Sequence, residues 1–134
     1  DGRTIIFDSD LDLAGAVSNA ISIYRISTAG GEPQRLFTPG EFPRWSPDGS
    51  AVAFMIRSGA WQIFVRKVDG SGYWQVTKGG DDARYPTWSP DGRWLAFAAY
   101  RNGQWELDAI PSAGGEPIRL SFGGGDSAYP AWGP

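Results

Sequence analysis

At 134 residues, with 41% hydrophobic and 14% aromatic side chains, the chain holds enough apolar material for one domain with its own core and too much to stay disordered. Its net charge of −3 offers no basic footprint for nucleic acid or anionic lipid, and no run approaches the ~18 apolar residues of a membrane span. Cysteine and histidine are both absent, which excludes disulfides and thiol nucleophiles and removes the usual general base, the partner of a reactive serine and the commonest metal ligand.

Asp1-Gly2 opens the chain, and residues 3–7 read as a strand. Asp8-Ser9-Asp10-Leu11-Asp12 places carboxylates two apart, so in extended chain Asp8, Asp10 and Asp12 point to one side and suit a cation. The calcium-loop pattern then needs Gly and Glu where Leu13 and Asn19 stand, so a polar loop is the simpler reading. Residues 11–20 are the one stretch with helical potential, a turn or two weakened by Gly15. Ile23-Tyr24-Arg25 is the next strand signal, and Ala29-Gly30-Gly31-Glu32-Pro33 a hairpin turn.

Phe42-Pro43-Arg44-Trp45-Ser46-Pro47-Asp48-Gly49 then introduces a phrase that recurs as Tyr85-Pro86-Thr87-Trp88-Ser89-Pro90-Asp91-Gly92. Tyr129-Pro130-Ala131-Trp132-Gly133-Pro134 followed by Asp1-Gly2 spells it a third time, split across the termini. Ser-Pro-Asp-Gly suits a tight turn: Pro presets φ, Asp bonds its own backbone, and Gly accepts positive φ. Cutting before each Asp-Gly gives repeats at residues 1–47, 48–90 and 91–134, close to the ~40–45 residues of a four-stranded propeller blade. Phe7, Phe54 and Phe97 keep the same place after the opening Asp, and Ala113-Gly114-Gly115-Glu116-Pro117 repeats the first hairpin turn. In the third repeat, residues 93–99, 105–110, 117–121 and 129–132 read as four short strands bounded by Gly, Pro, Asp and Asn.

The phrase Tyr/Phe-Pro-x-Trp-Ser-Pro-Asp-Gly, an apolar strand with Phe, an Ile-Tyr-like strand, then Gly-Gly and Arg-Leu resemble the TolB-type β-propeller repeat over the whole chain. That repeat also occurs in the propellers of dipeptidyl-peptidase and prolyl-oligopeptidase-like enzymes. The departures are Gly133 in place of Ser, Asp108 in place of an aromatic, and a longer segment over residues 8–20. The resemblance implies rings of six blades and favours a periplasmic or secreted compartment. The amino-terminal domain of TolB has no counterpart in these residues.

Three blades cannot close a ring, since rings hold ~4–8, and each end would bare an apolar sheet face. The expectation is an all-β chain of three four-stranded blades, with two chains forming one six-bladed β-propeller. Residues 129–134 of one chain would supply the innermost strand beside residues 3–7 of its twin. A fragment of a longer propeller and an engineered half-propeller fit the same pattern.

One rim carries the short, uniform Ser-Pro-Asp-Gly and Gly-Gly-Glu-Pro turns. The other carries segments that differ between repeats, and a rigid scaffold commonly presents its binding residues there. Arg57, Trp61, Asp81, Asp82, Arg84, Tyr100, Arg101 and Trp105 are the candidate contacts for a protein or peptide, with Glu41 and Arg84 at the mouth of the channel. Solvated loops with tryptophans tucked over strand ends are the plainer alternative. Trp45, Trp88 and Trp132 read as plates between blades. No Gly-x-Ser-x-Gly elbow is present and no carboxylate pair is singled out for acid–base work. The expected function is a non-catalytic binding scaffold without a cofactor. The alternatives are a small-ligand or cation site in the channel and, behind it, carboxylate-based catalysis.

Overall fold

The computed structural model describes residues 2–10, 20–122 and 125–133, and every regular element among them is a β-strand. The helical potential of residues 11–20 and the candidate ligand Asp12 fall, but for Ala20, outside the described residues. The chain divides into two compact units, Asp1–Pro43 and Arg44–Pro134.

In the first unit, β1 (Thr4–Ser9), β2 (Ser22–Ser27) and β3 (Gln34–Phe37) form an antiparallel sheet in the order β1-β2-β3. Its register pairs Phe7 with Tyr24, whose rings stack 5.6 Å apart, and Tyr24 and Ile23 are wholly buried. Such a cross-strand aromatic pair stabilises a sheet by about 0.2–1 kcal/mol beyond burial. The expectation places the fourth, innermost strand of this blade on a second chain. Among the described residues this sheet has three, and no strand pairs with the outer edge of β1.

β4 (Glu41–Trp45) crosses the boundary between the units and leads the next sheet, ordered β4-β5-β6-β7, with β5 (Ala51–Ser58), β6 (Ala60–Lys67) and β7 (Tyr73–Gln75). The last sheet runs β11-β10-β9-β8 and contains β8 (Asp82–Trp88), β9 (Trp94–Arg101), β10 (Gln104–Pro111) and the two-residue β11 (Ile118–Arg119). Strand alternation puts Ala51, Ala53, Ile63 and Val65 on one face of the first of these sheets. They meet Leu95, Phe97, Ala99 and Ile110 of the second, with Trp74 and Trp88 packed against the cluster. Burying each Ile, Leu or Phe there is worth about 1.5–3 kcal/mol. Two indoles pin the sheets together, Trp74 Nε1 donating to the Ser112 carbonyl at 3.0 Å and Trp88 Nε1 to the Arg44 carbonyl at 3.1 Å.

The two complete Ser-Pro-Asp-Gly phrases fold identically. Ser46 Oγ donates to Asp48 Oδ1 at 2.6 Å, Ser50 N–H donates to the same oxygen at 3.0 Å, and Ala51 N–H donates to Ser46 Oγ at 2.9 Å. Ser89, Asp91, Arg93 and Trp94 repeat the set at 2.6, 3.0 and 3.0 Å. Gly49 and Gly92 close these turns with φ of 71° and 70°, where a side chain would be strained. Gly133 brings no hydroxyl to the third copy.

The aromatic before each phrase's first proline is bent as well. Phe42, Tyr85 and Tyr129 adopt φ of 51°, 58° and 56°, a left-handed conformation uncommon outside glycine. At Tyr85 the bend coincides with a register shift between Arg84 and Thr87 in the β8–β9 ladder. Residues 129–132, expected as a strand, are assigned to none, because no neighbouring strand pairs with them. Likewise residues 117–121 shrink to the short β11 at the sheet edge.

Candidate functional site

The sheets of the second unit bring most of the candidate rim residues together, and they do so at strand ends rather than on long loops. Gly59 turns β5 into β6, and Asn102-Gly103, both at positive φ, turn β9 into β10 as Asn-Gly hairpins do. Arg57, Trp61, Asp82, Arg84, Tyr100, Arg101 and Trp105 therefore lie within strands, and Asp81 sits one residue before β8.

Asp82 is the hinge of this cluster. Its Oδ1 accepts the Trp61 backbone N–H at 2.8 Å, and its Oδ2 accepts Arg84 Nη2 at 2.5 Å. Burial pushes its carboxyl up, but the Trp61 N–H, Arg84 and the nearby charge of Arg57 outweigh that and hold it below the usual carboxylate range. Arg84 lies between two indoles, its guanidinium carbon 5.4 Å from the Trp61 ring centre and 5.2 Å from that of Trp105. Tyr100 tilts against Trp105 at 4.9 Å and Tyr85 at 6.4 Å.

Beside it, Arg101 grips Asp108 through Nη1 and Nη2 at 3.0 and 2.6 Å, reaches Asp81 at 2.9 Å, and lies 3.6 Å from Glu106. Hydrogen bonding to Asp108 raises the guanidinium's pKa still further, so the ion is permanent. Asp108 and Glu106 are almost fully buried, and Glu106 also pairs with Arg119. Here the departure from an aromatic at position 108 has its explanation: the place Phe64 fills in β6 holds, in β10, the counter-ion of Arg101. A cavity of about 260 Å³ next to this cluster is lined by Gln62, Thr77, Asp82, Phe97, Arg101 and Glu116, among others.

The last residues dock on the same region. Asp126 Oδ1 accepts the Trp105 N–H at 2.9 Å, as Asp82 does for Trp61, and Ser127 N–H donates to the Trp105 carbonyl at 2.9 Å. Tyr129 stacks on Tyr85 at 4.3 Å, and Trp132 Nε1 donates to the Thr87 carbonyl at 3.1 Å. Thr87 precedes Trp88 just as Arg44 precedes Trp45, so Trp132 repeats the bond of Trp88 one repeat on. The tail thus sits where the inner strand of a following blade belongs.

Glu41 lies in the first unit, where burial and then the charge of Asp8 raise its pKa. Among the described residues no three carboxylates gather around one ion-sized space. The charge of Asp8 is felt at Glu41, whereas Asp10 is exposed just after β1. Sequence reasoning passed over Glu106, Asp126, Tyr85 and Tyr129. The 21-residue spacing shared by Trp61/Asp82 and Trp105/Asp126 marks Asp126, and the recurring phrase marks Tyr85 and Tyr129 only as its opening aromatics.

The sheets, their inner-strand tryptophans and their repeated turns define blades of a β-propeller. The chain belongs to the TolB beta propeller domain family, whose model matches residues 1–134. It is similar to the structure of a putative TolB from Agrobacterium tumefaciens, with 25% identity and a TM-score of 0.79 over 91% of this chain and 43% of that one. TolB from Acinetobacter baumannii matches at 20% identity and a TM-score of 0.73, over 89% of this chain and 30% of that one. The β-propeller domain of the Trilobed protease from Pyrococcus furiosus, described as having an open velcro topology, matches at 14% and 0.67, over 89% and 40%. The chain therefore spans less than half the length of each of these structures. No curated protein sequence matches it. Among the described residues no helix is long and apolar enough to cross a membrane.

Proposed function

We propose that this chain is a non-catalytic half-propeller, that two copies close a six-bladed ring, and that the ring binds protein or peptide through the rim bearing Trp61, Arg84 and Trp105. The docking of Trp132 on Thr87 supports the reading, since it seats residues 129–133 on β8 as Trp88 seats β8 on β4 one repeat earlier. The first sheet, which has three strands among the described residues with β1 at its edge, is the proposed complement: the tail of a second copy would add the fourth. Exposed Ile118, Leu120 and Phe122, at and after β11, and Ile5 on β1, are the apolar surface that such closure would cover. Sedimentation across a range of concentrations tests the assembly. A two-chain mass lost on deleting residues 129–134 is expected, and a stable monomer overturns it.

For the rim, pull-down with Trp61→Ala and Trp105→Ala is the test, and retention of every partner argues that the rim is idle. A second reading, a small ligand or cation in the channel, draws on the Asp8–Glu41 proximity. It expects melting to respond to divalent ions and the response to vanish in Asp8→Ala.

A further inference from the structure

Arg84 is held as a ligand is held. Its guanidinium is flanked by Trp61 and Trp105 at 5.4 and 5.2 Å, and one end is fixed by Asp82 at 2.5 Å. Two indole faces and a carboxylate together recognise a flat, delocalised cation, which stacks on both rings while keeping an in-plane donor for the anion. Asp82 is kept aimed by the Trp61 N–H, and Tyr100 and Tyr85 brace Trp105 from its other sides.

The occupant is not the one the fold requires. The residue before the left-handed aromatic is Glu41 in one repeat, Arg84 in the next and Ala128 in the last, and all three repeats make the same bend. Nor is Arg84 well satisfied, since its Nε is buried without a hydrogen-bond partner among the described residues. An unmet buried donor favours exchange for a cation that arrives with its stem towards solvent. Resting on the reading of this rim as the binding face, we propose that Trp61, Trp105 and Asp82 form a guanidinium clamp, filled at rest by Arg84, and that an arginine side chain of the bound protein or peptide enters by displacing it. The clamp makes arginine the anchor of the recognised segment. Lysine is a poor substitute, because an ammonium neither stacks between rings nor lies flat against them.

The test uses the intact chain, with N-acetylargininamide as probe and N-acetyllysinamide as control. Arg84→Ala vacates the clamp in the manner of Ala128. The expected result is saturable quenching of tryptophan fluorescence by the arginine probe, at least about tenfold tighter than by the lysine control. Adding Trp105→Ala should abolish it. Equal response to both probes, or none from a variant whose near-ultraviolet circular dichroism shows it folded, overturns the clamp. In the unaltered chain the Nε–Hε resonance of Arg84, shifted by two flanking rings, should move towards its solvent value as the arginine probe is added. A resonance that stays in place overturns the displacement whatever the variant does, and this arm decides alone if Arg84→Ala does not fold. Free amino-acid amides report on the clamp only, so it can fail while the rim still captures a protein in the pull-down, and the rim can fail while the clamp binds.

Discussion

Arg101 holds Asp108 with both terminal nitrogens, at 3.0 and 2.6 Å, and Asp108 has only 1% of its surface exposed. An ion pair this enclosed sets its two halves apart in their consequences. Arg101→Ala strands the buried Asp108, while Glu106 keeps Arg119, and should cost about 3 kcal/mol, the low end of what breaking a buried pair does, because the guanidinium is partly in water. Replacing both partners with apolar residues, Arg101→Leu with Asp108→Phe, should recover most of that loss, since Phe is what the neighbouring sheet carries at position 64. Urea unfolding of the three chains measures it.

Asp48 and Asp91 should titrate unusually low. The Ser46 hydroxyl and the Ser50 N–H and hydroxyl hold the Asp48 carboxyl at about 2, and the Ser89 hydroxyl and Arg93 N–H lower Asp91 as well. A carboxyl depressed on folding contributes stability that is full above the unfolded value of 3.8 and fades as pH falls through the folded one. The unfolding midpoint should therefore drop between pH 4 and 2, and Ser46→Ala should raise the Asp48 pKa in a carboxyl NMR titration.

Trp132→Phe tests the docking of the tail apart from its bulk. The ring still packs, but the bond to the Thr87 carbonyl is lost, worth about 0.5–1.5 kcal/mol. Amide exchange should quicken over residues 126–133 and stay unchanged in β9 and β10. The proposed two-chain ring should, in sedimentation, dissociate at several-fold higher protein concentration than in the parent.

Tyr85→Val should destabilise the chain by about 1–2 kcal/mol, because a β-branched residue is strained at φ of 58°. Tyr85→Asn, which tolerates that conformation, should cost less despite losing the stack on Tyr129 at 4.3 Å. Thermal melts of the pair separate backbone strain from ring packing.

The repeats were legible because their turn chemistry is local. Ser-Pro-Asp-Gly names its own hydrogen bonds, and β5, β6, β9 and β10 follow from short, largely apolar runs bounded by turn residues. Two things hid in the sequence. The bend at Phe42, Tyr85 and Tyr129 runs against the usual preference of a residue before proline, and only the packing of the inner strands enforces it. The charges at Glu106 and Asp108 looked like surface, because nothing in the local pattern says that Arg101 folds over them. Trp61, Arg84 and Trp105 were picked out singly as rim residues. Their convergence on one another depends on two sheets meeting, and no spacing within a repeat encodes that.

The left-handed aromatics have a consequence for how these strands find their places. A strand with a period of two can slide by two residues and keep its apolar side inward, so pattern alone does not stop it lengthwise. A kink cut at one point acts as an index notch: slide the strand and Tyr85 leaves the bend while Trp88 misses its carbonyl. Yet Phe42, Tyr85 and Tyr129 carry the same notch, so it fixes position without fixing identity. The bend sets where each segment stops along its neighbour and leaves the choice of neighbour to the side chains around it.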